Sequence, residues 1–201
     1  TPVLLITADS GDFYAKPSLS NAFAQGRSPA QLVNTPAAKL VETQNVTLLA
    51  HTRVQAIDPV RRVVTTSHGK FVYRDLVLAT GAQAIRVPLA GDAADGVLSV
   101  NSLQDFSVFH ARLAGADSSQ NRSKHIVVMG AGLIGCEFAN DLAGAGYRVS
   151  VVDPAKRPLA ALLPAQAGEQ LQGALADLGV TWHFGCTVRA VDPNPDKTRP
   201  A

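Results

Sequence analysis

The chain has 201 residues, 46% hydrophobic and 17% charged, with 18 basic and 16 acidic side chains and a formal net charge of +2. No apolar run approaches the ~18–20 residues that span a bilayer, so transmembrane and disordered classes are out, and one or two packed domains remain. The basic residues form no stripe, which argues against nucleic acid as a partner.

The opening Thr1-Pro2-Val3-Leu4-Leu5-Ile6 has no basic region followed by a long apolar one, unlike a signal peptide, and reads as a strand that starts at once. Residues 3–7 form a short continuous apolar run, the look of a buried parallel strand, ended by the polar loop Ala8-Asp9-Ser10-Gly11-Asp12. Residues 29–44 show helical spacing at Leu32, Val33, Ala37, Leu40 and Val41, with Ser28 as N-cap and Pro29 at the first helical position. A second strand covers 46–50. From Arg53 to Tyr73 the texture changes to alternation, broken by turns at Asp58-Pro59 and His68-Gly69, and predicts an antiparallel meander. Residues 76–79 return to a continuous buried run, halted by Thr80-Gly81.

A helix is predicted over 102–113, before the loop-like stretch 114–124, a candidate boundary. Strand 125–129, helix 133–143, strand 149–152, helix 165–178 and strand 180–184 follow. That alternation predicts a parallel sheet with right-handed crossovers. A further extended piece covers 187–192. The expected fold is therefore α/β: Rossmann-like, doubly wound parallel sheets with an antiparallel β-meander, incomplete at both ends.

Three segments carry chemistry. Gly130-Ala131-Gly132-Leu133-Ile134-Gly135 is a G-x-G-x-x-G between a predicted strand and a predicted helix. Gly130 allows the tight turn, Gly132 lets backbone approach a pyrophosphate, and Gly135 lets helix and strand pack closely. The phosphates would meet the helix N-terminus, where unbonded N–H groups favour negative charge. The next strand ends in Asp153, 23 residues after Gly130, where a carboxylate accepts hydrogen bonds from a ribose 2′-hydroxyl. Asp153 favours NAD over NADP by like-charge repulsion of a 2′-phosphate. Lys156 and Arg157 follow closely, with surface solvation as their expected role. The second segment, Leu76-Val77-Leu78-Ala79-Thr80-Gly81, ends a strand in small residues that let backbone pass close to a ligand. The third, Tyr14-Ala15-Lys16-Pro17-Ser18-Leu19-Ser20, offers a cation on a proline-stiffened loop beyond the first strand.

In order and spacing these segments resemble the FAD-dependent pyridine nucleotide-disulfide oxidoreductases, and among them the rubredoxin–NAD(+) reductase and flavorubredoxin reductase type. The likeness runs through Ile6-Thr7-Ala8-Asp9, Lys16-Pro17 with Leu19-Ser20, His51-Thr52-Arg53-Val54, residues 73–82 and residues 130–142. It implies a partial FAD-binding domain at 1–105 and the first half of an NAD-binding domain at 106–201. Asp9 then lies where an acidic residue holds the adenosine ribose of FAD. Lys16 falls near the flavin, Val54 meets the adenine through its backbone, and Thr80 and Gly81 run beside the flavin nucleotide. Glu137 points back toward the flavin ring, where a Lys16–Glu137 pair would tune potential and protonation. Leu133 occupies the position that covers the nicotinamide pocket. The implied reaction passes electrons from NADH through FAD to a small iron protein, foremost rubredoxin, with flavorubredoxin or ferredoxin as alternatives.

Where thiol-dependent relatives carry cysteine, residues 16–20 have none, so electrons would go straight to a protein acceptor. Asn21 stands where many ferredoxin-type reductases have a second basic residue, leaving Lys16 as the lone cation. Cys136 opens a helix whose dipole lowers a thiol pKa, yet a buried packing role is the better reading. Cys186 has no motif; two cysteines so few and so far apart fit a reducing, cytoplasmic compartment. None of the five histidines has ligand spacing. Trp182 and Phe184 read as core. The family's own first G-x-G-x-x-G strand and helix lie ahead of the segment seen here. Two readings follow: part of a full reductase, or a nucleotide-binding fragment without flavin or turnover.

Overall fold

The computed structural model describes residues 2–114 and 124–193, so most of the proposed boundary loop at 114–124 lies outside the described residues. The chain forms two units: one from Thr1–Ala15 and Ala30–Gln83, the other from Lys16–Pro29 and Ala84–Ala201.

In the first unit the elements are β1 (Val3–Ile6), β2 (Phe13–Tyr14), β3 (Val33–Thr35), α1 (Ala37–Gln44), β4 (Val46–Leu49), β5 (Val54–Asp58), β6 (Val63–Thr66) and β7 (Gly69–Val72). β1 and β4 pair in parallel, Val3 beside Val46 through Ile6 beside Leu49. β2 and β3 pair antiparallel. The meander appears as the sequence predicts, with β5, β6 and β7 in antiparallel order. Its first turn is built by Asp58, whose Oδ1 accepts the N–H groups of Val60 (3.0 Å) and Arg61 (2.8 Å).

β1 forms where expected but stays largely exposed rather than buried, and two predicted elements of this unit differ from expectation. The predicted helix over 29–44 divides into a 3-10 turn at Pro29–Leu32, strand β3, and an α-helix that begins only at Ala37. Pro36 is the cause: it has no N–H to donate, and it pushes the preceding residue into extended backbone. The N-terminus of α1 is capped from a distance instead, by Asp12 Oδ1 accepting the Ala37 N–H at 2.8 Å. The expected strand at 76–79 is irregular and exposed, with Val77 85% accessible. No strand among the described residues lies beside it, so its backbone groups have no ladder to join.

The second unit adds α2 (Leu103–Ala114), β8 (His125–Met129), α3 (Leu133–Gly144), β9 (Arg148–Asp153), α4 (Ala165–Asp177) and β10 (Thr181–Phe184). Its parallel sheet has the order β10-β9-β8, with α3 and α4 as the two crossovers. This is one half of a doubly wound arrangement. Val149, Val151, Ala139 and Leu142 are fully buried between β9 and α3, and Trp182 and Phe184 stack at 5.1 Å against the edge of the same core. Burying side chains of valine or leucine size stabilises by about 1.5–3 kcal/mol each. Among the described residues the extended piece at 187–192 joins no sheet; it pairs by a parallel bridge between Ala90 and Ala190. No helix of the described residues is long and apolar enough to cross a membrane.

Candidate functional site

The three fingerprint glycines have three different physical reasons. Gly130 sits at φ +106°, a backbone conformation L side chains avoid, and its N–H donates to Val152 O at 2.9 Å, closing the turn onto β9. At Gly135 a Cβ would stand 1.9 Å from Gly130 O, so any side chain would force α3 off the turn. At Gly132 a Cβ would meet nothing within 4 Å. Gly132 is also the N-cap of α3 and provides no side-chain cap, leaving the first-turn N–H groups facing that open space. A pyrophosphate suits this cradle: there is room, there are donors, and the dipole has the right sign. A cleft of about 1390 Å³ within this unit reaches the cradle, with Gly130, Gly132, Leu133 and Ile134 in its wall.

Asp153 ends β9 beside the glycine turn. Its Oδ2 accepts the Ala131 N–H at 2.6 Å and its Oδ1 the Ala155 N–H at 2.7 Å. Each carboxylate oxygen keeps a lone pair for a sugar hydroxyl. The carboxylate therefore braces the glycine turn, with acceptor capacity left for a further donor. Lys156 is exposed, but Arg157 departs from the expected solvated role. Its Nη2 donates to the carbonyls of Leu163 (3.1 Å) and Ala160 (3.4 Å), and its Nε is buried without a hydrogen-bond partner among the described residues. That guanidinium is spent on the loop.

Leu133 and Ile134, in the first turn of α3, are 55% and 56% accessible. Cys136 is buried, with its thiol 3.4 Å from Ala131 O. Burial, and then the Asp153 and Glu137 carboxylates, push that thiol's pKa up. The local environment outweighs the helix dipole, and the cysteine is a packing residue. At the next residue, Glu137 Oε2 accepts the Ser20 hydroxyl at 2.5 Å. Lys16 Nζ donates instead to Asn101 Oδ1 at 3.3 Å. The expected Lys16–Glu137 pair is thus not formed, because each group has its own neutral partner.

In the first unit, a separate cluster gathers at the C-terminal ends of β1 and β4. Asp9 Oδ1 accepts the Thr7 hydroxyl (2.6 Å) and the Gly11 N–H (2.9 Å), while the Asp9 carbonyl accepts the His51 N–H (2.8 Å). The Thr52 N–H closes the same loop onto Thr7 O at 2.8 Å. Asp9 and the approach to Val54, the half-exposed first residue of β5, therefore belong to one hydrogen-bonded edge. The Asp9 carboxylate remains exposed and free to accept further donors, as a ribose would require. Thr80 and Gly81 lie exposed in the irregular segment after β7. Sequence reasoning gave no role to Asp12, Ser20 or Asp141. Asp141 had a usable signal: a carboxylate among the buried Phe138, Ala139 and Leu142 of α3.

Fold and site together define a nucleotide-binding α/β protein of the doubly wound class. The family profile described as "Pyridine nucleotide-disulphide oxidoreductase" matches residues 1–200, and the chain belongs to that family. It is 42% identical over 194 residues to a nitric oxide reductase FlRd-NAD(+) reductase of Aeromonas hydrophila, covering 96% of this chain and 48% of that protein. It is also 42% identical over 191 residues to a rubredoxin-NAD(+) reductase of Alcanivorax borkumensis, covering 95% and 48%. Among solved structures, a ferredoxin reductase from Rhodopseudomonas palustris superposes with a TM-score of 0.82 at 28% identity, over 97% of this chain and 46% of that one. The chain thus spans about half the length of the relatives it matches.

Proposed function

We infer that the protein to which this chain belongs is an NADH-dependent flavoprotein reductase that delivers electrons to a small iron protein, foremost rubredoxin. The observation that carries this reading is the open, uncapped Gly132 cradle beside Asp153, in a chain whose relatives are rubredoxin and FlRd reductases. FAD, when bound, supplies the step between a two-electron hydride donor and a one-electron acceptor.

In this reading Gly130, Gly132 and Gly135 seat the NAD pyrophosphate, Asp153 accepts the ribose hydroxyl, and Leu133 lies over the nicotinamide position. Asp9 and Val54 hold the adenosine end of FAD, Thr80 and Gly81 follow the nucleotide, and Lys16 and Glu137 stand toward the flavin ring. Residues 1–105 then belong to the FAD-binding domain and 106–201 to the NAD-binding domain. NADH is preferred over NADPH because Asp153 repels a 2′-phosphate and the Arg157 guanidinium is already held by two carbonyls. The cytoplasm is the compartment in which such an NADH-linked enzyme with free thiols would work.

The full-length protein should purify yellow, with flavin absorption bleached by NADH anaerobically, and should then reduce rubredoxin. Colourless protein, or flavin that NADH leaves oxidised, refutes the assignment. Comparing reduction rates of rubredoxin, flavorubredoxin and ferredoxin identifies the acceptor.

A further inference from the structure

One face of α3 carries an unusual set of attachments. Glu137, Asp141 and Gly144 stand at i, i+4 and i+7 and so share a face of the helix. Along this stripe Ser20 donates its hydroxyl to Glu137, and the consecutive N–H groups of Phe23 and Ala24 donate to Asp141 Oδ2 and Oδ1, both at 2.8 Å. At Gly144 a Cβ would stand only 3.3 Å from the Ala24 Cβ, so the missing side chain lets the segment lie close. Phe23 is then enclosed by Phe106, Phe109, His110 and Tyr147, with ring centroids 5.3–6.1 Å away.

Asp141 is 1% exposed. A carboxylate this buried is costly unless hydrogen-bonded, and a leucine would pack at lower cost. The charge at 141 acts through those two amides, which form the strong, charge-assisted kind of bond. The segment it holds, Lys16–Pro29, groups with the second unit although both its neighbours in sequence belong to the first. At its start is Lys16. At the other end of α3, roughly 13 Å along the axis, is the Gly132 cradle.

We propose that Asp141, assisted by Ser20, is a positioning residue that makes the Lys16–Pro29 segment part of the fingerprint helix, so that a dinucleotide seated at the cradle and Lys16 are held as one body. This rests on the dinucleotide reading above. Its consequence is coupling: ligand binding at the N-terminus of α3 steadies the segment that Asp141 anchors two turns away, and loss of the anchor uncouples them.

Hydrogen–deuterium exchange on the full-length protein, with and without saturating NAD+, reads this directly. In the unaltered protein NAD+ slows exchange of the Phe23 and Ala24 amides by about tenfold. Asp141→Asn presents an amide NH2 to one of the two donors, so exchange across 16–29 speeds up and ceases to respond to NAD+. By reciprocity, affinity for NAD+ weakens by no more than that same factor, about tenfold. Ser20→Ala leaves the Asp141 bonds intact and reduces the response by about half; should Asp141→Asn fail to fold, that variant decides. A response confined to the first turn of α3 in the unaltered protein overturns the proposal, as does full protection in Asp141→Asn or, where it decides, in Ser20→Ala. Failure of the unaltered protein to bind NAD+ by calorimetry instead overturns the dinucleotide reading beneath it.

Discussion

The β1–β4 pair and the β8–β9–β10 sheet are built from similar material, short parallel runs rich in valine, leucine and isoleucine. Their fates differ. In the second sheet Val149 and Val151 are completely buried beneath α3. In the first pair Val3, Leu4 and Leu5 remain 52%, 37% and 40% accessible. An apolar run therefore states a capacity for burial, and neighbouring elements determine how much of that capacity is used. The same lesson holds at Leu76-Val77-Leu78, where an apolar run without an adjacent strand among the described residues forms no strand at all.

Substitutions can break or sharpen this contrast. The largest effect is expected for Gly135→Val, which drives a side chain into Gly130 O. It should destabilise the second unit by about 3 kcal/mol and abolish NADH binding, measured by denaturant titration and calorimetry. Next comes a matched pair, measured in the 201-residue chain: Leu142→Ala should cost about 2–5 kcal/mol, while Leu5→Ala on the exposed pair costs under about 1 kcal/mol. Equal costs would erase the distinction between the two sheets. Asp153→Ala removes the brace on the Ala131 N–H together with the proposed ribose acceptor. It should weaken NADH binding by about 10–100-fold and narrow the advantage over NADPH, on the scale of a hydrogen bond to a charged group. Unchanged selectivity would remove Asp153 from the ribose site.

The smallest effect concerns pH. Burial, followed by the charge of Arg148 and the neighbouring His183, holds the His125 imidazole below its ordinary pKa of 6.5. A depressed folded-state value means the neutral ring is favoured by folding. The stabilisation is thus complete above pH 6.5 and is lost as pH falls through the lowered value. Melting curves from pH 8 to pH 5 should show a slight acid-side loss that His125→Gln flattens, slight because the residue is largely exposed.

Much of the second unit was legible in the sequence because its signals are local. The run from His125 to Asp153 combines strand, glycine turn, helix and strand in one βαβ unit, and each element appears within a residue or two of its predicted bounds. The meander was legible for the same reason: alternation and turn residues are read over a few neighbours. Misreadings came where a local signal was overridden, as at Pro36, or where a strand needed a partner, as at 76–79. Arg157 was misjudged because charge alone does not reveal which carbonyl will be nearest, and for the same reason the sequence did not show the neutral partners of Lys16 and Glu137.

By itself, the sequence determined the strand–helix order, the dinucleotide fingerprint with its acidic residue, and membership of a reductase family. Those properties depend on spacing along one short stretch of backbone. Only the tertiary structure decided that Asp141 meets the Phe23 amide, 118 positions away, that Asp12 caps α1 from another loop, and that burial pushes the Cys136 thiol pKa up. A hydrogen bond depends on distance and direction in space, and folding brings those partners together independently of their separation in the chain.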